Sequence, residues 1–323
     1  MPPHSPCARS RSRPKAVDEF ELIARYFSRP ADSPLVVAGV GDDGAVLRPV
    51  AGRDLVTVID TMVAGTHFPV SMRADDIGYR AVAINLSDIA AMGAEPRWMT
   101  LALTLVDADP RWLEAFAGGL YEAAAEWGVA LVGGDTTRGE QLVVSVQMEG
   151  DLEPGTAVYR RGAKPGDTIF LTGTVGDAAA GLGRFSDAPG DDYLVRRFAR
   201  PTARIGVGRT LAGVAHAAID VSDGLAGDLC KVLEASGAGA ELDLQRLPLS
   251  QELVAAAGRE RALEFAMRGG DDYELCFTLP EAALPAEVAN EVTAIGRITS
   301  APGLVCRDGE TVVPFDDPGY RHF

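Results

Sequence analysis

The stretch VTVIDTMVAGTHF, residues 56–68, is the part of the chain around which the rest is organised. Its β-branched residues predict a strand that ends at Asp60, and the small pair Ala64 and Gly65 permits a tight turn before His67. A strand that delivers a carboxylate into a loop is typical of the rim of a site. For this stretch alone an alternative stays open, in which Asp60 caps a turn and His67 packs on the neighbouring aromatic ring.

Length and composition indicate an ordinary globular protein. With 323 residues and about 150 residues per domain, two domains are expected. No apolar run approaches the roughly 20 residues of a membrane span and no secretory leader opens the chain, which predicts a cytoplasmic protein without a membrane partner. The four cysteines are far apart in sequence, so neither a disulfide framework nor a zinc cluster is indicated.

Charge divides the chain into a short basic arm and an acidic body. Residues 1–17 carry four positive charges and no acid among Pro and Ser, which predicts a disordered arm or an upstream translation start, with a transit peptide or nucleic-acid tail as the alternatives. The formal net charge is −16, so residues 18–323 alone carry −20. Such an acidic body argues against nucleic acid or an anionic membrane as a partner and is compatible with divalent cations.

Alternating helical and strand patterns predict an α/β chain with a break near residue 153. A turn-rich connection at 153–167 separates a first half, 18–152, from a second, 153–323. Helices are predicted at 18–27, 74–92, 111–127, 193–199, 205–214 and 224–235, and strands at 35–38, 56–60, 98–105, 129–132, 142–149, 168–171, 217–219 and 274–279.

The glycine-rich segment GVGDDGAV, residues 39–46, formally contains the GxGxxG dinucleotide fingerprint. Asp42 and Asp43 stand where a pyrophosphate would have to approach, and Pro49 stops the helix that should follow. Two acids in a glycine loop suit a metal better than a bare phosphate. The GxxxxGK[ST] pattern of a P-loop does not occur in the sequence.

Six aspartates lie at or near the ends of predicted strands and helices. Three are predicted to follow strands (Asp60, Asp135, Asp220) and three to lie in loops or at helix ends (Asp43, Asp88, Asp223). If the six meet, mutual repulsion raises their pKa values unless cations compensate. Several Mg²⁺ ions, which share their coordination shell with substrate phosphates, are the natural solution, and they point to phosphoryl transfer from a nucleotide. For Asp88 alone, a polar helix face remains the alternative.

One basic spot stands out in the acidic body. Arg160, Arg161 and Lys164 lie within the predicted connection. They either hold phosphate oxygens or form a solvated turn, and composition alone favours the turn.

Ordered motifs along almost the whole chain, from about residue 20 to 323, resemble the thiamine-monophosphate kinase family, within the superfamily that includes aminoimidazole-ribonucleotide synthetase and selenophosphate synthetase. The motifs are GVGDDGAV, DTMVAGTHF, NLSDIAAMGAEP, GGDTTRG, RRGAKPGD, TGTVGD, IDVSDGL, GGDDYELCF and GYRHF. The resemblance implies a two-domain α/β fold with mixed sheets, in which residues 18–152 bind ATP and Mg²⁺ and dimerise, and residues 153–323 form a C-terminal α/β domain.

The same resemblance implies ATP-dependent phosphorylation of thiamine monophosphate to thiamine diphosphate by a homodimer. The implied Mg²⁺ ligands are Asp43, Asp60, Asp88, Asp135, Asp220, Asp223 and the backbone carbonyl of Ile59. The implied ATP contacts are Gly134, Asp135, Arg160 and Ser222, and the implied substrate contacts are His67, Asp271 and Tyr320.

Two departures from the family pattern affect this assignment. The family usually has hydroxyl residues just before the aspartate at the position of Asp60, whereas Val58 and Ile59 here offer only backbone carbonyls. The family's Gly-Gly-Glu-Asp is Gly-Gly-Asp-Asp here, so the acid at Asp271 is one methylene shorter and reaches a substrate through a water.

Chemistry agrees with the lack of an evident general base. The attacking phosphate oxygen of a phosphomonoester is already ionised at neutral pH, so no side chain has to remove a proton. Rival enzymes fit less well: the selenophosphate branch needs a reactive cysteine near the N-terminus, where Cys7 lies outside any glycine-rich loop, and the hydrogenase-maturation relatives end in cysteine, whereas this chain ends in Phe323. A magnesium- or nucleotide-binding module without turnover is the non-enzymatic alternative.

Overall fold

The structure, a computed structural model, describes residues 19–31, 33–185 and 191–314. The side chains of residues 19 and 20 are not part of that description. The basic arm predicted at 1–17 and the substrate contact predicted at Tyr320 therefore lie outside the described residues.

The first half contains a two-stranded sheet, a four-stranded sheet and two long helices. Its elements are α1 (Glu19–Leu22), continued by a π-helical turn (Ile23–Phe27), β1 (Val36–Ala38), β2 (Val46–Leu47), β3 (Asp54–Val63), α2 (Ala74–Ala91), β4 (Glu95–Leu105), α3 (Pro110–Glu126), β5 (Ala130–Arg138) and β6 (Val143–Leu152). The larger sheet has the order β3-β6-β4-β5, with β4 and β5 parallel and the other pairs antiparallel.

The second half is built on a seven-stranded mixed sheet of order β13-β12-β9-β11-β7-β10-β8. Its strands are β7 (Thr168–Thr172), β8 (Ala217–Asp220), β9 (Gly239–Asp243), β10 (Leu275–Leu279), β11 (Val292–Thr299), β12 (Gly303–Asp308) and β13 (Thr311–Val313). Its α-helices are α4 (Asp177–Arg184), α5 (Tyr193–Ala199), α6 (Ile205–Leu211), α7 (Leu225–Ser236), α8 (Gln251–Ala257) and α9 (Arg259–Arg268), with short 3₁₀ turns at Leu244–Arg246 and Glu281–Ala283.

Helices α2 and α3 pack so closely that their backbones nearly touch. A Cβ atom at Gly78 of α2 would lie 2.1 Å from the carbonyl oxygen of Phe116, and one at Gly119 of α3 would lie 1.8 Å from that of Asp75. Only glycine fits at these two points, because real Cβ atoms do not approach a carbonyl oxygen so closely.

Helix α2 also joins the two halves of the chain. It contacts β3, β4 and β6 of the four-stranded sheet, and it also contacts β8, β10, α5 and α6 of the second half. One hydrophobic core accordingly contains residues from both halves, for example Ile77 and Ile84 of α2 with Phe198 and Phe277. Polar side chains that project from α2 toward the second half are therefore placed at the boundary between the two sheets.

Two aspartates predicted to follow strands instead lie within them. Strand β3 continues through Asp60 to Val63, and β5 continues through Asp135 to Arg138. The prediction that these strands end at the carboxylate was wrong, because pairing with β6 and β4 extends both strands past their acidic residue. Asp220, in contrast, is the last residue of β8, as predicted to within one residue.

Most other predicted elements are present with shifts of one to three residues. Strand β4 begins at Glu95, three residues earlier than predicted, because it tolerates Pro96 near its start. Pro96 lies before the first residue paired with β5 and beside a register shift against β6, so its missing N–H costs little there. The sequence analysis did not predict β9, β11, β12 or β13. The α/β fold with mixed sheets is confirmed by the observed architecture, and the boundary near residue 153 stays a prediction.

Two further structural features concern membrane-spanning helices and the cysteines. Among the described residues, no helix has the length and apolar character required to cross a bilayer. The three described cysteines, Cys230, Cys276 and Cys306, are free thiols, of which the last two are buried.

Candidate active site

Three of the predicted acidic residues meet at the boundary between the halves. Asp60 lies on the inner face of β3, in the same alternating row as the buried Val56 and Met62. Its carboxyl group is within hydrogen-bonding reach of that of Asp88 on α2. Asp220, at the end of β8, is buried and accepts a hydrogen bond of 2.7 Å from Ser87, the residue before Asp88.

The cluster strongly disfavours negative charge when no cation is present. Burial, followed by the charges of Asp220 and Asp60, raises the pKa of Asp88 to about 8. Burial raises the pKa of Asp220 to about 7, although the hydrogen bond from Ser87 works in the opposite direction. Burial also raises the pKa of Asp60. These shifts are those expected of carboxylates that lack sufficient compensating positive charge.

The fourth member, Asp223, is held by a turn that follows β8. Asp228, fully buried in α7, accepts hydrogen bonds of 2.9 Å from the backbone N–H groups of Ser222 and Asp223. Lys231 donates to Asp223 at 2.6 Å and to Asp228 at 2.8 Å. Asp228 therefore fixes the backbone of the turn, and Lys231 neutralises the carboxylate that the turn presents.

The structure does not bring the two remaining acidic residues into this cluster. Asp43 lies in an exposed turn where its N–H donates to Asp42, and Asp135 is exposed on β5. In the described ranges no hydrogen bond or ion pair joins either of them to Asp60, Asp88 or Asp220. Next to Asp135, a Cβ at Gly134 would lie 1.9 Å from the carbonyl oxygen of Leu101. Gly134 is thus required by the pairing of β5 with β4, whether or not it contacts a nucleotide.

A cleft of about 510 Å³ opens beside the cluster, with walls from both halves. Asp88, Asp220 and Arg160 line the cleft, and Ile59, Met92 and Tyr159 contribute apolar surface. The positive charge of Arg160 lowers the pKa values of both Asp88 and Asp220. Ile59 is 65% exposed, on the face of β3 opposite to Asp60. Arg160 offers donors that match phosphate oxygens, whereas the carboxylates repel a phosphate chain unless a divalent cation lies between them.

His67 is fixed by a tight turn after β3, as the sequence predicted. Gly65 adopts φ +79°, and the turn is closed by hydrogen bonds from Gly65 N to Phe68 O at 2.8 Å and from His67 N to Val63 O at 2.9 Å. The ring nitrogen Nδ1 of His67 accepts from the backbone N–H of Val63 at 3.0 Å. The neutral ring therefore carries its proton on Nε2, and Nε2–H is a donor suited to a phosphate or ring acceptor.

A second turn, directly before β10, contains non-glycine residues in an uncommon backbone conformation. Asp271 and Tyr273 are the described non-glycine residues with positive φ, at +73° and +54°. Their N–H groups donate to Ser222 O and Val221 O, both at 2.9 Å. The carboxylate of Asp271 is ion-paired with Arg80 of α2. Backbone strain of this kind persists where the surroundings over-determine the conformation, as at ligand sites.

Buried charges support this turn from below. Asp272, fully buried, accepts from the N–H groups of Gly176 and Ala178 at 2.6 and 3.1 Å, and burial raises its pKa to about 8. Glu274, also fully buried, accepts from Arg197 at 2.9 Å and from Arg204 through two bonds of 2.6 and 2.7 Å. These bonds anchor the part of the segment that directly follows Asp271.

The donor set fits magnesium in its chemistry. Every candidate ligand side chain is a carboxylate, the oxygen donor that Mg²⁺ prefers. Within residues 19–31, 33–185 and 191–314, no three His, Cys, Asp or Glu side chains are grouped closely enough to hold a metal ion by themselves. Mg²⁺ commonly takes one or two carboxylates and completes its shell with water and substrate phosphates.

Sequence reasoning missed the residues that hold the acidic ones in place. They are Arg80, Asp228, Lys231, Glu274, Arg197 and Arg204. Arg80 is a charged residue among the mostly apolar buried residues of α2, and Asp228 interrupts an otherwise apolar set of buried residues in α7; such interruptions are a signal available from the sequence. Which carboxylate or backbone group each residue contacts is set by tertiary structure.

Two family models match the chain. The model described as AIR synthase related protein, N-terminal domain, matches residues 41–152, and the one described as AIR synthase related protein, C-terminal domain, matches residues 164–309. Together they account for well over half of the sequence.

Similar proteins include curated kinases and solved structures. Thiamine-monophosphate kinase of Escherichia coli K12 is 46% identical over 323 residues, covering 95% of this chain and 99% of the relative. The crystal structure of thiamine-monophosphate kinase from Stenotrophomonas maltophilia is 42% identical with a TM-score of 0.81, covering 90% and 96% of the two chains. A structure described as AaThiL complexed with AMPPCP and TMP is 31% identical with a TM-score of 0.77, covering 94% and 97%.

Proposed function

Because the chain belongs to the thiamine-monophosphate kinase family of AIR synthase related proteins, we propose that it transfers the γ-phosphate of ATP to thiamine monophosphate and so forms thiamine diphosphate. The observation that carries the proposal is the 46% identity to a thiamine-monophosphate kinase over 95% of the chain. Further support comes from the similar AaThiL structure, which is described as complexed with AMPPCP and TMP.

The geometry of the cleft is compatible with this reaction. Asp88 and Asp220 line the cleft together with Arg160, whose charge acts on both, and Asp60 lies behind them within hydrogen-bonding reach of Asp88. We propose Asp43, Asp60, Asp88, Asp135, Asp220, Asp223 and the carbonyl of Ile59 as the residues that hold Mg²⁺. When bound, Mg²⁺ supplies charge neutralisation and orientation of the nucleotide phosphates.

The chain's own residues bind and orient the two substrates. In this proposal Gly134, Asp135, Arg160 and Ser222 contact ATP. The guanidinium of Arg160 presents donors that match phosphate oxygens, and the backbone of Ser222 is already fixed by Asp228.

The acceptor end is assigned to His67, Asp271 and Tyr320. His67 donates from Nε2, because its Nδ1 is occupied by the N–H of Val63. No side chain acts as a general base, since the acceptor phosphate is ionised at neutral pH, and transfer is direct and in line. The proposed assembly is a homodimer that forms through the four-stranded sheet, and the proposed location is the cytoplasm.

An assay with the purified full-length chain tests the function directly. Thiamine diphosphate and ADP should appear in equal amounts when ATP, Mg²⁺ and thiamine monophosphate are all present. Thiamine in place of thiamine monophosphate is the matched control, because it lacks the acceptor phosphate. ATP binding without any thiamine diphosphate would instead favour a nucleotide-binding module.

A further inference from the structure

Arg80 is a buried arginine that is not among the site residues proposed above. It projects from α2 and is 2% exposed. Its guanidinium lies 4.3 Å from the ring centroid of Phe198 and 5.4 Å from that of Tyr273. Nη1 donates to the carbonyl oxygen of Phe198 at 2.5 Å, and Nη2 donates to Oδ1 of Asp271. Burial of a guanidinium is unfavourable unless a carboxylate is paired with it, and among the described residues Asp271 is the carboxylate that Arg80 contacts.

Asp271 is in turn held in a backbone conformation that is uncommon for a non-glycine residue. Its φ of +73° is disfavoured for any residue with a Cβ. The backbone is fixed by the bond from Asp271 N to Ser222 O, and the side chain is fixed by Arg80. Two independent restraints from different parts of the fold thus determine where this carboxylate points.

The two oxygens of Asp271 are not equivalent. Both described contacts of the carboxylate fall on Oδ1, one from Arg80 and one from the hydroxyl of Tyr273 at 3.4 Å. The side chain of Asp271 is 27% exposed, whereas that of Arg80 is 2% exposed. Oδ2 is therefore left to meet a ligand while Oδ1 is held from within the protein.

From these contacts we infer that Arg80 is a positioning residue for the acceptor end of the site: it holds Oδ1 of Asp271 so that Oδ2 accepts a hydrogen bond from the acceptor substrate. The inference rests on the proposed function for the identity of that acceptor. The positive charge of Arg80 also balances the negative charge of Asp271, so the pair has a net charge close to zero. Asp271 therefore recognises a hydrogen-bond donor rather than supplying a free negative charge.

A double-mutant cycle between Arg80→Gln and Asp271→Asn tests the coupling. Arg80→Gln should raise the KM for thiamine monophosphate about tenfold while the KM for ATP stays within about twofold, because Arg80 bonds Asp271 directly and acts on Asp60 through its charge rather than through a described contact. In the Asp271→Asn background, Arg80→Gln should add less than about twofold, since a residue that acts through another has no further effect once the other is removed.

Two further variants serve as controls. Arg80→Lys keeps the charge but lacks the planar pair of donors, so it should restore the KM for thiamine monophosphate only in part. Arg97→Gln removes an arginine that is paired with the buried Asp151, far from the turn in sequence, and should lower stability without changing the KM for thiamine monophosphate. An equal rise in both KM values for Arg80→Gln, or independent effects of the two mutations in the cycle, would overturn the inference.

Chemical denaturation of the wild type, Arg80→Gln, Asp271→Asn and the double variant separates this inference from the proposed function. Asp271→Asn leaves the Arg80 charge buried without a carboxylate, so the double variant should be more stable than Asp271→Asn alone. If the wild-type chain forms no thiamine diphosphate, the proposed function fails, whereas the stability cycle still reports on the pair. Additive stability effects would show that Arg80 does not hold Asp271.

Discussion

Ser87 donates a 2.7 Å hydrogen bond to Asp220, across 133 residues of sequence. The bond joins helix α2 of the first half to the end of β8 in the second half, next to Asp88. It satisfies one oxygen of a buried carboxylate whose pKa is raised to about 7. The acidic cluster is therefore assembled at the contact between the two sheets, and its geometry depends on that contact.

Ser87→Ala should destabilise the protein by about 1–3 kcal/mol, because it leaves a buried acceptor without its donor. The loss also removes the contact that lowers the pKa of Asp220. Urea denaturation measures the change in the free energy of unfolding, and the KM for ATP should rise in parallel. Thr210→Ala, which removes an exposed hydroxyl bonded within α6, is the control and should have little effect. Equal changes in both variants would contradict a specific role for the bond.

Asp88→Asn and Asp43→Asn should each lower turnover at saturating ATP by about 100-fold while the fold stays intact. For Asp88 the thermal midpoint should not fall, because the substitution removes one charge from a cluster of like charges. Initial rates and thermal melts of the same preparations check both points. Asp107→Asn changes an exposed carboxylate that accepts a hydrogen bond from the neighbouring N–H of Ala108 and serves as the control. Turnover at the wild-type level in both variants would remove these residues from the site.

The stability of the metal-free protein should decrease as the pH rises from about 5 to about 8. The folded-state pKa values of Asp220 and Asp88, about 7 and about 8, lie above the ordinary value of 3.8. Their contribution is therefore fully present below pH 3.8 and is lost as the pH rises through the folded-state values, at most about 1.4 kcal/mol per pH unit for each group.

Denaturation curves at several pH values, recorded with EDTA and with excess Mg²⁺, measure this dependence. Mg²⁺ should reverse the decrease, and Asp88→Asn should flatten the dependence in EDTA. A stability that rises steadily over this pH range in the metal-free protein would be inconsistent with the cluster as described.

His67→Ala should raise the KM for thiamine monophosphate more than the KM for ATP. The reason is that Nδ1 is occupied by the N–H of Val63, so the ring directs its Nε2–H toward the proposed acceptor. His67→Asn serves as the comparison because it retains an amide donor near the ring's position. Selective loss of ATP affinity would mean that the nucleotide and acceptor ends are assigned in reverse.

Steady-state kinetics should be sequential, with intersecting double-reciprocal lines. The chain presents a carboxylate cluster but no evident nucleophile beside a base, so direct transfer between two bound substrates is expected. A chiral γ-phosphate should be inverted once, and ATP alone should leave no phosphoenzyme. Stereochemical retention, or an isolated acyl-phosphate on one of the aspartates, would establish a covalent route instead.

Local patterns in the sequence were sufficient to predict much of the secondary structure. Helix α2 was predicted at 74–92 and is observed at Ala74–Ala91, because its apolar spacing is strongly helical. The turn before His67 was predicted from two small residues, and it forms with Gly65 at positive φ. Strands β12 and β13, at one edge of the seven-stranded sheet, were missed because their apolar runs are too brief to be distinguished from loops.

The sequence by itself determined which residue types are available for the chemistry: a set of aspartates next to strands and helices, a histidine after a tight turn, and a few arginines in an acidic chain. Tertiary structure decided which of them meet. The packing of α2 between two sheets brings Asp60, Asp88 and Asp220 together and leaves Asp43 and Asp135 exposed. It also pairs Arg80 with Asp271 across 191 residues. Such pairings depend on burial and on contacts between distant segments, and no local pattern encodes them because desolvation and charge pairing arise only once the chain is folded.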